Sequence, residues 1–220
     1  MVLMTPIVLA YGLLLLAAFG LWLAGRGMRR SIRDWKDGLQ TVGGFVLHPR
    51  LHYYPGHTWV MPWRKGTVRV GIDDFGRRLA DGIRGVKLPP KGSEVVEGEV
   101  AVELRCDGKE AKLLSPVDGV VVDVNESLTK NGALPTDVER DPYGRGWLFS
   151  VRVADKKFTR LPTNAAAREW LRWEADRLSL LLHRDLGLVA ADGGDLISKP
   201  SAALNEEQWK ALTRTFFQTA

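Results

Sequence analysis

The sequence is poor in the residues that build disulfides and metal clusters. It contains one cysteine, Cys106, among 220 residues. A single cysteine excludes an internal disulfide and a cluster held by several thiolates, and it suits a protein of a reducing compartment. Because no histidine or second cysteine accompanies it, we interpret Cys106 as a small strand residue and not as a reactive thiol.

Recognisable catalytic motifs are also absent. Three of the four histidines, His48, His52 and His57, lie close together in the sequence. Their spacing does not place them on one face of a helix or strand, and no carboxylate lies among them, so we predict no metal site. The sequence has no nucleophile elbow and no phosphate-binding loop. We therefore expect no catalytic residues and no enzymatic activity.

The excess of positive charge is small. The net charge is +5 at pH 7, and part of it lies in one cluster between Arg26 and Lys36. No aromatic stacking platform or basic recognition helix accompanies this cluster, so nucleic acid is not an expected partner.

Charge is missing altogether from the N-terminal stretch Leu3–Ala24. In a helix this stretch is long enough to cross a hydrocarbon core of about 30 Å. We predict one transmembrane helix within residues 1–25, with Pro6 in its first turn and Trp22 near the far interface. A cleavable signal peptide would carry its positive charge before the apolar core, whereas here it follows.

A basic cluster comes directly after this stretch, and nothing basic precedes it. We therefore predict a single pass through a bacterial-type inner membrane. The positive-inside rule places the N-terminus outside and the bulk of the chain in the cytoplasm. Residues 26–48 are predicted to form a basic juxtamembrane helix and linker that contacts lipid headgroups or docks on a partner. The basic residues are Arg26, Arg29, Arg30, Arg33 and Lys36.

Short strands and turns dominate residues 49–154. Val68–Ile72 and Gly119–Val124 are predicted strands, and Ser93–Leu104 reads as two strands joined at Gly98. This pattern is typical of a small antiparallel sandwich or barrel, so we expect a mainly β domain.

A hairpin within this domain has a register that the sequence predicts by itself. Asp107-Gly108 favours a type I′ turn, because both turn positions need a positive φ. Folding about that turn puts opposite charges on one face and apolar residues on the other. The predicted cross-strand pairs are Cys106 with Lys109, Arg105 with Glu110, Leu104 with Ala111, Glu103 with Lys112, and Val102 with Leu113.

The hairpin and its flanking motifs together resemble the glycine cleavage system H protein. The resemblance implies a lipoyl-type barrel-sandwich hybrid with short helices. It also implies a lysine at the hairpin tip that carries lipoyl, which moves an aminomethyl group between enzymes. The motifs outside the hairpin are YYPGHTWV (Tyr53–Val60), Gly66–Leu79, Ser115–Leu128 and Asp141–Val153.

The lysine that the resemblance implies as the carrier of the lipoyl group is missing from this sequence. Aligning without gaps on Ser115-Pro116-Val117 places Gly108 at the position of that lysine, and Arg105 where the family usually has an acidic residue. Lys109 is the nearest lysine, but its predicted position opposite Cys106 makes it less available to a modifying enzyme. We therefore expect no cofactor, with lipoate on Lys109 as the alternative.

Besides the juxtamembrane helix, helices are predicted at four places. Asp73–Ile83 reads as a short helix capped by Asp73 or Asp74, and residues 155–220 read as a helical C-terminal extension. Asn164 and Asn205 are predicted caps of its two helices, the first of which ends at Gly187. The fourth is the transmembrane helix.

The apolar stripes of the C-terminal extension pack either on the β domain or on a partner. Leu171, Ala175, Leu178 and Leu182 form one stripe by their spacing. Apolar stripes of this kind are usually buried in the core of their own chain. This apolar surface, however, is wider than a helix that packs on a small barrel needs. The candidate partner-interface residues are Trp170, Trp173, Leu181, Trp209, Phe216 and Phe217.

These features favour a non-catalytic, membrane-anchored accessory subunit. Its H-protein-like domain would dock on and stabilise a membrane electron-transfer complex, respiratory or photosynthetic. One alternative is a lipoyl carrier modified at Lys109 that serves a membrane-associated oxidoreductase. Another is a decoy or regulator that binds a lipoate-modifying or lipoyl-dependent enzyme.

Overall fold

The structure is a computed structural model that divides the chain into two units, residues 1–39 and 40–220. It describes residues 14–22, 38–64, 66–129, 135–185 and 204–219. In the first unit, residues 14–22 are helical, and the ring of Trp22 stacks on that of Phe19.

The predicted transmembrane stretch Leu3–Ala24 lies only partly within the described residues. Among the described residues, no helix is both long and apolar enough to span a bilayer. The other predicted anchor residues lie outside the described residues: Pro6, Arg26, Arg29, Arg30 and Arg33.

The second unit is built on three antiparallel sheets. The strands are β1 (Gln40–Val42), β2 (Phe45–Leu47), β3 (His52–Tyr53), β4 (Thr58–Arg64), β5 (Thr67–Ile72), β6 (Ile83–Lys87), β7 (Glu94–Val95), β8 (Val100–Cys106), β9 (Lys109–Leu114), β10 (Gly119–Val124) and β11 (Phe149–Val153). A small sheet pairs β1 with β2, a six-stranded sheet has the order β3-β4-β5-β11-β10-β7, and a three-stranded sheet has the order β6-β8-β9.

Four α-helices accompany these sheets in the described part of the second unit. They are α1 (Asp74–Leu79), α2 (Thr136–Arg140), α3 (Asn164–Leu180) and α4 (Glu206–Phe216). Single turns of 3₁₀-helix occupy Glu126–Leu128 and Lys157–Arg160, and α3 continues into a π-helical turn at Leu181–Asp185.

The core lies between the inward faces of the two larger sheets. Along β5, Val68, Val70 and Ile72 are buried, whereas only one of the two residues between them is buried. Along β8, Val102 and Leu104 are buried while Arg105 is exposed. This period of two is what a strand produces when one of its faces meets an apolar core.

The predicted strands are confirmed. Val68–Ile72 falls within β5, Gly119–Val124 is β10, and the two strands predicted in Ser93–Leu104 are β7 and β8. Gly98 lies between them with φ +84°, a conformation that suits glycine.

The helix caps follow the predictions at two sites and depart from them at a third. The Asp73 side chain caps α1 by accepting from the Gly76 amide, and Asn205 caps α4 in a capping box with Gln208. The predicted cap Asn164 is instead the first residue of α3. Thr163 precedes it as the N-cap residue, and its hydroxyl donates to the Pro49 carbonyl. The predicted end at Gly187 lies outside the described residues.

Candidate functional site

The hairpin of β8 and β9 has the predicted turn and the predicted register. Asp107 and Gly108 form the tip with φ of +29° and +88°, as a type I′ turn requires. All five predicted pairs, from Cys106 opposite Lys109 to Val102 opposite Leu113, are present. The apolar members face the core, the two pairs of opposite charge face outward, and Lys109 is half-buried on the apolar side, so burial fixes the register.

The tip is held against β6 by Asp107. Its carboxylate accepts from Arg84 Nε at 2.7 Å, and its amide donates to the Gly82 carbonyl at 3.3 Å. A Cβ on Gly82 would lie 2.2 Å from Asp107 Oδ2, so the carboxylate occupies the space that a side chain would fill. The hydrogen bond that Arg84 donates to the Asp107 carboxylate raises the pKa of the guanidinium. The hairpin is therefore tied down immediately beside its tip.

Gly108 is exposed at the position where the resemblance implies the lipoyl lysine. A Cβ built on it would have no heavy atom within 4 Å, so the surroundings leave room for a side chain. Glycine itself offers no amine, thiol or hydroxyl. The residue at the tip has nothing to which an acyl group could be attached.

Lys109 is half-buried under the C-terminal segment. Its Nζ donates to the Leu204 carbonyl and lies 5.8 Å from the ring centroid of Trp209. The indole Nε1 of Trp209 donates to the Glu110 carbonyl at 2.8 Å, on the adjoining residue of β9. The start of α4 thus covers the flank of the hairpin.

Arg105 lies on the outer face of the three-stranded sheet. Its guanidinium rests over Gly85, where a Cβ would lie 2.8 Å from Nη2. It lines a shallow groove of about 590 Å³ together with Lys87 and Glu110. Arg105 therefore places a cation on an open surface, at a position where the resemblance implies an acidic residue.

Three of the six predicted partner-interface residues are internal. Trp209, Phe216 and Phe217 are between 0% and 3% exposed, because the apolar stripe of α4 packs on the second unit itself. The sequence left open whether these side chains pack on the chain itself or on a partner, and for these three the structure shows packing on the chain itself. Packing within the chain removes the large apolar surfaces of these side chains from water.

The other three predicted interface residues lie on α3 and the turn after it. Trp173 is 65% exposed, whereas Trp170 and Leu181 are half-buried. The Trp170 ring lies 5.7 Å from the ring of Tyr53 and 5.2 Å from that of His57. Trp173 is therefore the one of the six that the structure leaves on the surface.

His57 sits at the centre of a buried polar group that the sequence pattern did not reveal. Its Nδ1 lies 2.9 Å from Asp73 Oδ2, and its Nε2 lies 3.9 Å from Glu174 Oε2. The imidazole stacks on Phe75 at 4.2 Å, and all three polar side chains are buried. Since Glu174 belongs to α3, the group joins the C-terminal extension to the β domain. The contact between distant residues leaves no local signal in the sequence.

The remaining sequence candidates have structural positions. Cys106 is fully buried, and burial raises the pKa of its thiol to about 12, so the thiolate is disfavoured. His48 Nδ1 accepts from the Arg50 amide, and His52 packs edge-on against Phe158. Within the described residues, no cluster of three or more His, Cys, Asp or Glu is arranged to hold a metal.

Comparison with known proteins places this geometry in a family. The family model for the glycine cleavage H-protein matches residues 51–173. A probable glycine cleavage system H protein of Aeropyrum pernix is 37% identical over 111 residues, which are 50% of this chain and 75% of that protein. The glycine cleavage system H protein of Mycobacterium avium is 39% identical over 109 residues, 50% of this chain and 80% of that protein.

A solved structure is also similar. The crystal structure of a glycine cleavage system H protein from Mycobacterium marinum is 25% identical, covers 58% of this chain and 99% of that chain, and has a TM-score of 0.49. The family match and the sheet topology confirm the predicted mainly β barrel-sandwich fold with short helices, and the structure contains the predicted C-terminal helices. The chain therefore belongs to the glycine cleavage H-protein family.

Proposed function

We propose that this chain is a non-catalytic member of the H-protein family that serves as a membrane-anchored docking subunit. What supports the proposal is the hairpin tip, where the resemblance aligns Gly108 with the lipoyl lysine. In this proposal the family fold is kept without the group that would do the chemistry.

The surroundings of Lys109 support the same proposal. A carrier lysine must reach solvent so that a modifying enzyme can acylate its amine. Here the ammonium donates to the Leu204 carbonyl beside Trp209, and acylation would remove its charge and disturb that contact. Leu204 and Trp209 lie outside the stretch that the family model matches. The extension thus adds a cover where a carrier would need access.

The proposed membrane anchor is inferred from the sequence. The uncharged stretch Leu3–Ala24 and the basic cluster after it would hold the second unit at the cytoplasmic membrane surface, with the N-terminus outside. Anchoring confines the domain to two dimensions and raises its effective concentration near any membrane-embedded partner.

The docking surface proposed for a protein partner lies on α3. Trp173 and Leu180 are 65% and 64% exposed, and their spacing of seven residues puts them on one helix face. A large exposed tryptophan is the residue type that most often anchors a protein interface. We predict from the sequence alone that this partner is an electron-transfer complex.

A lipoylation assay with matched variants tests the proposal. Full-length protein, Lys109→Arg and Gly108→Lys are each incubated with a lipoate ligase, ATP and lipoate, and the modified peptide is identified by mass. We expect no lipoyl group on the parent protein or on Lys109→Arg. Modification of the parent that Lys109→Arg abolishes would contradict the proposal and make the chain a carrier.

Partner docking is tested separately. Full-length protein and Trp173→Ser are purified from native membranes in mild detergent. We expect the parent to co-purify with a membrane protein complex and Trp173→Ser to lose that complex with its fold intact. A parent protein that always elutes alone would contradict the docking role.

A further inference from the structure

An outward face of the six-stranded sheet carries three arginines. In the strand register Arg64 and Arg152 both lie opposite Thr67, so these residues form one row across β4, β5 and β11. Arg69 lies two positions along β5 and therefore on the same face. We define the arginine–tryptophan face as Trp63, Arg64, Arg69, Trp147 and Arg152.

Two tryptophans shape the arginine–tryptophan face. The guanidinium carbon of Arg69 lies 3.4 Å from the ring centroid of Trp63 and 4.4 Å from that of Trp147. These stacking contacts hold a cation beside two amphipathic rings. Trp63 nevertheless remains 45% exposed, so one ring is still available to a partner.

The arginines of this face are not bound directly to carboxylates within the described part of the chain. None of its three arginines forms an ion pair there, whereas Arg77 and Arg84 each bind a carboxylate. The Asp123 carboxylate, which acts electrostatically on Arg69, is bound by Lys91 at 2.9 Å. Neighbouring guanidinium groups repel one another, and an anionic partner would relieve that repulsion.

We propose that the arginine–tryptophan face binds the anionic headgroups of a phospholipid bilayer. The inference rests on the proposed membrane anchor, which would keep headgroups close to the second unit. Arginine matches the geometry of a phosphate oxygen pair, and an exposed tryptophan ring is favoured at the level of the headgroups. The face would be a second contact with the membrane that fixes how the domain is held.

The experiment measures whether Trp63 meets lipid. Full-length protein is reconstituted into vesicles of brominated phosphatidylcholine, with or without brominated phosphatidylglycerol. Tryptophan quenching is then compared between the parent and Trp63→Phe, so that the difference reports on Trp63 alone. We expect Trp63-dependent quenching in vesicles that contain phosphatidylglycerol and its loss in neutral vesicles.

Charge-reversal variants test whether the arginines are responsible. Arg64→Glu combined with Arg152→Glu should abolish the Trp63-dependent quenching. The matched control is Arg160→Glu combined with Arg172→Glu, which reverses two other exposed arginines and should leave the quenching intact. Quenching that survives in the first double variant would overturn the proposal.

Other outcomes separate this inference from the proposed anchor. Protein that stays in the vesicles without Trp63-dependent quenching would overturn the headgroup contact and leave the anchor standing. Protein that associates with neither vesicle would overturn both. An arginine-dependent change of Trp63 fluorescence with duplex DNA, and none with anionic vesicles, would assign the face to nucleic acid and overturn the proposal.

Discussion

Replacing Trp209 should release the cover over Lys109. The indole is 3% exposed and its Nε1 donates to the Glu110 carbonyl at 2.8 Å. Truncating a buried tryptophan to alanine costs about 3–5 kcal/mol. Trp209→Phe keeps most of the apolar contact but leaves the carbonyl without this donor, which costs about 1 kcal/mol. The two variants therefore separate packing from hydrogen bonding.

Two measurements on the same variants check this prediction. Urea unfolding gives the free energy of unfolding, which should fall by about 1 kcal/mol for Trp209→Phe. Acylation by an amine-reactive reagent, mapped by mass, should be faster at Lys109 in Trp209→Ala than in the parent, because the ammonium loses its neighbour in α4.

Trp173→Ala is the control for this prediction. Its side chain is 65% exposed, so the change in the free energy of unfolding should stay within about 0.5 kcal/mol and Lys109 acylation should not change. Equal Lys109 acylation rates in Trp209→Ala and Trp173→Ala would refute the reasoning that α4 restricts access to Lys109.

Three further predictions concern the hairpin. Gly108→Lys should fold with a loss of about 1–2 kcal/mol, since φ is +88° but no heavy atom obstructs a Cβ; thermal unfolding measures the loss, and complete unfolding would contradict it. Gly82→Ala should cost about 1 kcal/mol or more beyond Gly92→Ala, because both have positive φ but only Gly82 faces Asp107; equal melting temperatures would show that the contact is unimportant. Burial raises the pKa of Cys106 from 9.0 to about 12. Between these two pH values only the unfolded thiol ionises, so the stability of the fold decreases as the pH rises through that range. Urea midpoints of the parent should therefore fall more steeply there than those of Cys106→Ala.

The hairpin shows what the sequence can predict. Its register follows from the Asp107-Gly108 turn and from alternation over a few residues on each side, all of which are local. The Asn205 cap is equally local, because its partner Gln208 lies three residues away. Where the determinants are adjacent in sequence, the prediction and the structure agree.

The surroundings of the site depend on contacts that are distant in sequence. Periodicity showed that α4 has an apolar stripe but not which surface the stripe covers, so the contact of Trp209 with Glu110 was not predicted. The pairing of His57 with Glu174 likewise joins two elements far apart in the chain. Periodicity identifies a buried face without naming its neighbour.

Helix starts show a second limit of prediction from sequence. Asn164 was predicted as a cap because its side chain suits that position, but the backbone places Thr163 there and directs its hydroxyl to the Pro49 carbonyl. A tertiary hydrogen bond thus replaces the local one that capping preferences assume.

The mass of the native protein tests whether the hairpin carries an acyl group. Protein is isolated from native membranes, its intact mass is measured, and the peptide spanning residues 101–115 is mapped. We expect an unmodified hairpin in fully recovered protein. A lipoyl adduct on Lys109 would contradict it and would make the chain a membrane-tethered carrier.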